Sequence, residues 1–232
     1  MRPEDELPIL YQDDSIAIIE KPQGLITHRT QFSSDRDSVV DRLKAQFSRP
    51  LHPVHRLDRP TSGILVCAFT PAAASALGRA FSENGVHKEY IAVVRGYTER
   101  EGLIDRPLKK DGEGIEQEAH SAYCRLKILE IPVKNNRYET SRYSLVRVTP
   151  KTGRFHQIRR HLSGIGHPVI GDTSHGDLRH NKIARDYWGN ERLLLHSCSI
   201  RFNHPLSGEP FVFSSPLPDD MSVIADSFYS AP

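Results

Sequence analysis

The stretch that decides the fold is His55–Thr70, HRLDRPTSGILVCAFT. Ile64 to Phe69 is a continuous apolar run of strand length, which is how a strand buried on both faces reads. Thr70-Pro71 then opens a helix, PAAASALGRAFSEN, with threonine at the N-cap and proline in the first turn. Before the strand comes a loop in which one acid, Asp58, stands between two arginines, Arg56 and Arg59. It is followed by Pro60 and the turn-forming Thr61-Ser62-Gly63.

Outward from this unit, strands dominate. ILYQDDSIAIIEKP reads as two short strands joined at Asp13-Asp14. Val39, Val40, Leu43 and Phe47 recur at helical spacing after an acid-rich start at Asp35. HKEYIAVVRGY is a β-branched run and therefore a strand. AHSAYCRLKILEI and RYETSRYSLVRVTP are longer strand candidates. RFHQIRRHLSGIG predicts a short helix ending at glycine, LLLHSCSIRF a late strand, and PDDMSVIADSFY a closing helix with acids in its first turn. DGEGIEQEAH reads as a flexible or extended connection. Irregularly interspersed helices among many strands predict an α+β domain on a mostly antiparallel, mixed sheet. No Pro/Ser-rich linker or internal repeat divides residues 1–232, so a single domain is expected.

The composition narrows the class. At 38% hydrophobic and 26% charged residues, the chain is expected to be a soluble globular protein. No window approaches the roughly 20 apolar residues of a membrane span, and the acidic start lacks a signal peptide's pattern. Cys67, Cys124 and Cys198 are odd in number and form no Cys-x-x-Cys pair, which points to reduced thiols in the cytoplasm and away from zinc. The net charge is only +2, yet Thr140–Gly171 contains no Asp or Glu. It carries Arg142, Arg147, Lys151, Arg154, Arg159 and Arg160. Such a window is either a solvated face or a surface for a polyanion.

Phosphate-binding glycine motifs, a Gly-x-Ser-x-Gly elbow and His-Glu-x-x-His are all absent from the sequence. His156 and His161 are five apart and share a helix face poorly, so no metal is expected. What remains is Asp58. It is either a turn residue balanced by Arg56 or Arg59, or a carboxylate kept charged by a guanidinium so that it can act as a nucleophile. The residues alone leave both readings open.

The motifs go further. His55–Gly63, HRLDRPTSG, resembles the His-Arg-Leu-Asp-x-x-Thr-Ser-Gly signature of the RluA-type pseudouridine synthases. EKPQG (Glu20–Gly24), KEYIAVVRG (Lys88–Gly96), TGRFHQIRRHL (Thr152–Leu162), HPVIGD (His167–Asp172) and LLLHS (Leu193–Ser197) resemble further motifs of that family, in its order. The resemblance runs from about residue 7 to residue 215. It implies a pseudouridine synthase catalytic domain that isomerises uridine in RNA without cofactor or metal.

By resemblance, Asp58 is the essential aspartate, attacking C1′ of the ribose or taking the 2′ proton; sequence does not choose between these. Tyr90 corresponds to the tyrosine that stacks on the uracil and takes the C5 proton, though it also suits a core aromatic on a strand. Arg159 corresponds to the arginine that pairs with the aspartate. Arg56 corresponds to the arginine that fills the space left by the flipped nucleotide. Leu195 corresponds to an apolar contact to the uracil, and is equally a simple core leucine. Lys151, Arg154 and Arg160 are the remaining candidates for RNA contact, and extruding a stacked uridine requires such compensation. Phe155 occupies a variable family position. No N-terminal S4-like domain is expected, because the resemblance to the catalytic domain already begins near residue 7. The HRLDRPTSG variant, the run RYETSRYSLV…PKTGRFHQIRRHL and the long, polar GDTSHGDLRHN (Gly171–Asn181) look closest to a subgroup acting on uridine 65 of tRNA. The expected partner is therefore tRNA, bound by a monomer with no membrane association. A synthase for another tRNA or ribosomal uridine, or a non-catalytic RNA-binding module, are the alternatives.

Overall fold

Asp13 turns the chain between β1 (Ile9–Gln12) and β2 (Ile16–Lys21). Its carboxylate accepts from the backbone N–H groups of Ser15 at 2.7 Å and Ile16 at 2.9 Å, the local bond that makes aspartate a turn former. These positions come from a computed structural model that describes residues 6–29, 37–110, 114–136 and 138–230. Helix α1 (Val39–Phe47) begins at Ser38, whose hydroxyl accepts from the Asp41 N–H; of its acid-rich start, Asp37 precedes the cap and Asp41 lies in the first turn, while Asp35 lies outside the described residues. After β3 (His52–Pro53), β4 (Ser62–Ala68) is buried at every position, as its unbroken apolar run requires. Helix α2 (Pro71–Ser82) starts where its Thr70-Pro71 signal puts it, with the Thr70 hydroxyl accepting from the Ala73 N–H at 3.2 Å.

The remaining strands are β5 (His87–Arg95), β6 (Glu101–Asp105), β7 (Leu108–Lys109), β8 (Glu116–Gln117), β9 (His120–Ile131) and β10 (Ser141–Pro150). Then come α3 (Gln157–Gly164), α4 (Leu178–Trp188), β11 (Leu195–Asn203), β12 (Pro210–Ser214) and α5 (Asp219–Ser230). The flexible connection expected over DGEGIEQEAH contains β8, while Asp111–Glu113 lie outside the described residues. Helix α4 has no counterpart among the sequence expectations.

The chain divides into two compact units, Met1–Lys88 with Ser197–Ser215 and Glu89–His196 with Pro216–Pro232. The chain crosses between them three times, inside β5, inside β11 and at Ser215-Pro216 between β12 and α5, so two of the three crossings leave no linker that composition could reveal. In the first unit β1, β2 and β4 pair antiparallel in order, β3 pairs with β4, and β12 with β11. Ala73 and Leu77 of α2 pack on Ile16, Ile18, Ile64 and Val66. In the second unit β5, β10, β9 and β6 form an antiparallel run. Its core joins Tyr143 and Leu145 of β10 to Ile183 of α4 and to Met221, Ile224 and Phe228 of α5. Each unit is thus a sheet with helices packed on it, the α+β class. No helix among the described residues is long and apolar enough to cross a membrane. Cys67, Cys124 and Cys198 form no disulfide, and burial pushes the Cys67 thiol up to about 12.

His55, the first residue of the opening motif, ties its loop to this scaffold. Its Nε2 accepts from the Val66 N–H of β4 at 2.9 Å, and its ring stacks on Phe81 of α2 at 4.5 Å between centroids. An acceptor must stay unprotonated. Burial first, and the nearby Lys88 ammonium second, bring its pKa down to about 3. Between about pH 6.5 and that value the unfolded chain binds a proton that the folded chain refuses. Stability therefore rises with pH in this window, by at most about 1.4 kcal/mol per pH unit from this group. Urea unfolding across pH 4 to 7 should show a flatter pH dependence for His55→Gln than for the wild type; parallel curves would contradict the assignment.

Candidate active site

In the first unit, Asp58 sits at a turn closed by the Thr61 N–H donating to the Asp58 carbonyl at 3.0 Å. Both of its neighbours are fixed by the Glu20–Thr27 segment. On one side, the Leu57 carbonyl accepts from the Thr27 hydroxyl at 3.1 Å, and Leu57 itself is buried. On the other, the Arg59 carbonyl accepts from the Gly24 N–H at 2.8 Å and from the Lys21 ammonium at 3.1 Å. Lys21 is fully buried, and its Nζ also donates to the carbonyls of Pro22 (2.8 Å) and Leu25 (2.7 Å). Gly24 has φ +82°, a conformation that favours glycine. The Arg59 guanidinium turns back to the Gly24 carbonyl at 3.0 Å. Arg56 is exposed on the same loop, and Asp58 itself is partly exposed. Gly63, φ +113°, completes the motif for a steric reason: a Cβ there would collide with the backbone of Ser197.

The second unit holds Tyr90, Lys151, Arg154, Arg159, Arg160 and Leu195. Tyr90 is buried on β5, opposite Val148 of β10, and Leu195 is buried at the start of β11. Arg159, on α3, is 3% exposed and makes a bidentate pair with Asp172. Its Nε and Nη2 donate to the two carboxylate oxygens, each at 2.7 Å. Asp172 also accepts from the N–H groups of Ser174 and His175 at 2.9 and 3.0 Å. Burial pushes the Asp172 pKa up, but the Arg159 guanidinium and these two N–H groups outweigh it and hold the carboxyl below its ordinary range. Asp172 is one residue that sequence reasoning passed over, although it closes the quoted HPVIGD motif.

Gln157 is another. It is buried at the start of α3, and its side-chain oxygen accepts from the Arg154 N–H (3.0 Å) and the Thr152 hydroxyl (2.7 Å). Its nitrogen donates to the His120 carbonyl and to the Ser121 hydroxyl, both at 3.0 Å. Every polar atom of the amide is used, so the loop before α3 is rigid. The acid-free window proves to be less one-sided than its sequence. Arg142 pairs with Glu130 of β9 at 3.3 Å and Arg147 with Glu89 of β5 at 3.8 Å. Lys151 and Arg154 are exposed; the Arg154 Nε donates to the Glu118 carbonyl, and Arg160 donates to that of Lys109.

A partly exposed carboxylate stands on a loop anchored at both neighbours in the first unit, and a buried arginine on a helix of the second. Residues 15–164 match the family described as RNA pseudouridylate synthase. The chain belongs to this family, whose members are isomerases. It is 40% identical over 225 residues to tRNA pseudouridine synthase C of Vibrio parahaemolyticus, covering 92% of each chain. To the protein of the same name from Haemophilus influenzae it is 38% identical over 233 residues, covering 96% of this chain and 98% of the other. Among solved structures, human RNA pseudouridylate synthase domain containing 1 aligns with a TM-score of 0.72 at 23% identity, covering 100% of this chain and 99% of that one. Human RNA pseudouridylate synthase domain containing 4 aligns with a TM-score of 0.74 at 24% identity, covering 96% and 93%. These two carry the fold.

Removing one partner of the Arg159–Asp172 pair strands a buried charge. Asp172→Leu and Arg159→Met should each cost about 3–5 kcal/mol of stability, whereas the two combined should cost well below the sum of the single changes. Urea titration of the two single variants and the double variant checks this, and strict additivity would contradict it.

Proposed function

We propose that this chain converts a uridine of tRNA, uridine 65, to pseudouridine, with Asp58 starting the reaction. The observation that carries the proposal is the anchoring of the Asp58 loop, which holds one carboxylate in place from both sides. Identity of about 40% along nearly the whole length to proteins named tRNA pseudouridine synthase C supports the choice of RNA. Asp58 acts as a carboxylate, by attack on C1′ or by removal of the 2′ proton. Either route breaks the N1–C1′ bond, lets the uracil turn, and joins C5 to C1′. The C5 hydrogen leaves as a proton, with Tyr90 as the base, and N1 takes up a proton in exchange. The process is redox-neutral and isomeric, so the chain's own acids, bases and dipoles are sufficient for it.

Arg159 serves in the role that the family resemblance gives it, with Asp172 as the added support that keeps its guanidinium oriented. Arg56 and Leu195 contact the RNA and the uracil, and Lys151, Arg154 and Arg160 contact phosphates. Access to C1′ and C5 requires the nucleotide to be extruded from its stack, at a cost of about a few kcal/mol that such contacts offset. On this reading the two units work as a single catalytic domain, in a cytoplasmic monomer that needs no cofactor or metal.

Tritium release from 5-tritiated-uridine tRNA tests the proposal, with the wild type and Asp58→Asn side by side and the modified position mapped. Release by the wild type alone, mapped to position 65, is expected. Release elsewhere in tRNA or in ribosomal RNA would overturn the target, and turnover by Asp58→Asn would overturn the mechanism. Binding without release from any RNA would indicate a non-catalytic module.

A further inference from the structure

The polar run Gly171–Asn181 is mostly scaffold. Asp172 holds Arg159, and Asp177 caps α4 and pairs with Arg95 at 2.5 Å. His180 lies 3.2 Å from the Tyr143 hydroxyl, and the Asn181 side chain holds the Gly171 N–H and the Asp172 carbonyl. His175 is turned to a different task. Its Nε2 lies 3.0 Å from Nδ1 of His156, the residue that opens α3. Two imidazoles at this distance fix one another's ring planes, because one nitrogen must donate and the other accept.

His156 is in the left-handed backbone region, φ 52°, which a non-glycine residue adopts at a cost and which clusters at working sites. In that conformation its ring lies flat against Phe155, with centroids 3.7 Å and planes 20° apart. Phe155 is nonetheless 41% exposed. A phenyl ring is therefore presented at the surface on a two-ring backing; in the chain Lys151 and Arg154 precede it and Arg160 follows it, the Arg160 Nη1 donating to the Phe155 carbonyl at 3.5 Å. No acid occurs anywhere in Thr140–Gly171. Aromatic faces framed by cations suit an unstacked base on a phosphate chain, because stacking accepts any base and the cations follow the backbone.

We infer that Phe155, backed by His156 and His175, is a stacking platform for a second nucleobase of the substrate RNA, other than the target uridine. This rests on the reading of the chain as an RNA-modifying enzyme and extends it to a residue that contributes affinity without charge.

Two probes are used with the full chain, an unmodified tRNA transcript and a single-stranded RNA dodecamer, and their Kd values are measured over a series of salt concentrations. Phe155→Ala should raise Kd by between about five-fold and about a hundred-fold, leaving the slope of log Kd against log salt unchanged. Phe155→Leu, which keeps apolar contact with His156 and lacks a π face, should behave like Phe155→Ala, and Phe155→Trp should restore tight binding. Arg154→Gln, in contrast, should lower the slope by about one phosphate contact. Binding by Phe155→Ala and Phe155→Leu within two-fold of the wild type would overturn the inference. So would a slope reduced as in Arg154→Gln, which would mean that Phe155 only props the arginines. A wild type that releases no tritium from tRNA would remove the tRNA assignment, while the dodecamer Kd values would still decide the platform.

Discussion

A single buried ammonium group sets the geometry of the Asp58 loop. Lys21 has no exposed surface, and burying an isolated cation costs several kcal/mol unless its donors are satisfied. Its acceptors are the carbonyls of Pro22, Leu25 and Arg59, so the Lys-Pro segment and the Arg59-Pro60 segment cannot separate without stranding the charge. The Gly24 and Thr27 bonds act in the same direction. Asp58 lies between two residues that are both fixed, while its own side chain keeps access to solvent. This is the arrangement a reactive carboxylate needs, with a rigid support and an accessible head.

The second unit uses the same device with the charges arranged differently. Arg159 is held by the Asp172 carboxylate, which is itself held by two backbone N–H groups, and Asn181 fixes the backbone on which Asp172 sits. Gln157 secures the loop before α3 with all of its hydrogen-bonding capacity. Networks of this kind are costly when half-satisfied and rigid when complete. In each unit hydrogen bonds from buried polar side chains hold a proposed site residue or its neighbours, those of Asp58 in the first and Arg159 in the second.

Much of this was legible in the sequence. The buried strand was written in the unbroken run Ile64–Phe69, and the helix after it in Thr70-Pro71, because these signals are local. Helix α4 was not, since its buried face is only His180, Ile183 and Ala184 within an otherwise polar segment. The very short β7 and β8 carry no period to detect. Asp58 stood out as an acid between arginines, and the family motif gave it a role. The partnership of Arg159 with Asp172 depends on a turn that brings residues thirteen apart together, which no spacing rule gives. The acid-free window overstated its own charge because Glu89 and Glu130, which pair with Arg147 and Arg142, lie on neighbouring strands outside it. Phe155, uninformative in sequence, acquires meaning only from its stack on His156.

The most direct measurement is the rate of tritium release by Lys21→Met at saturating tRNA, at a temperature where circular dichroism shows the variant folded. Methionine keeps the length and apolar bulk of the side chain and removes all three carbonyl bonds. If the ammonium positions the Asp58 loop, kcat should fall by about a hundred-fold, the cost of a misplacement of about 1 Å, while the Kd for tRNA stays within about three-fold. A folded Lys21→Met enzyme that turns over at the wild-type rate would contradict the account.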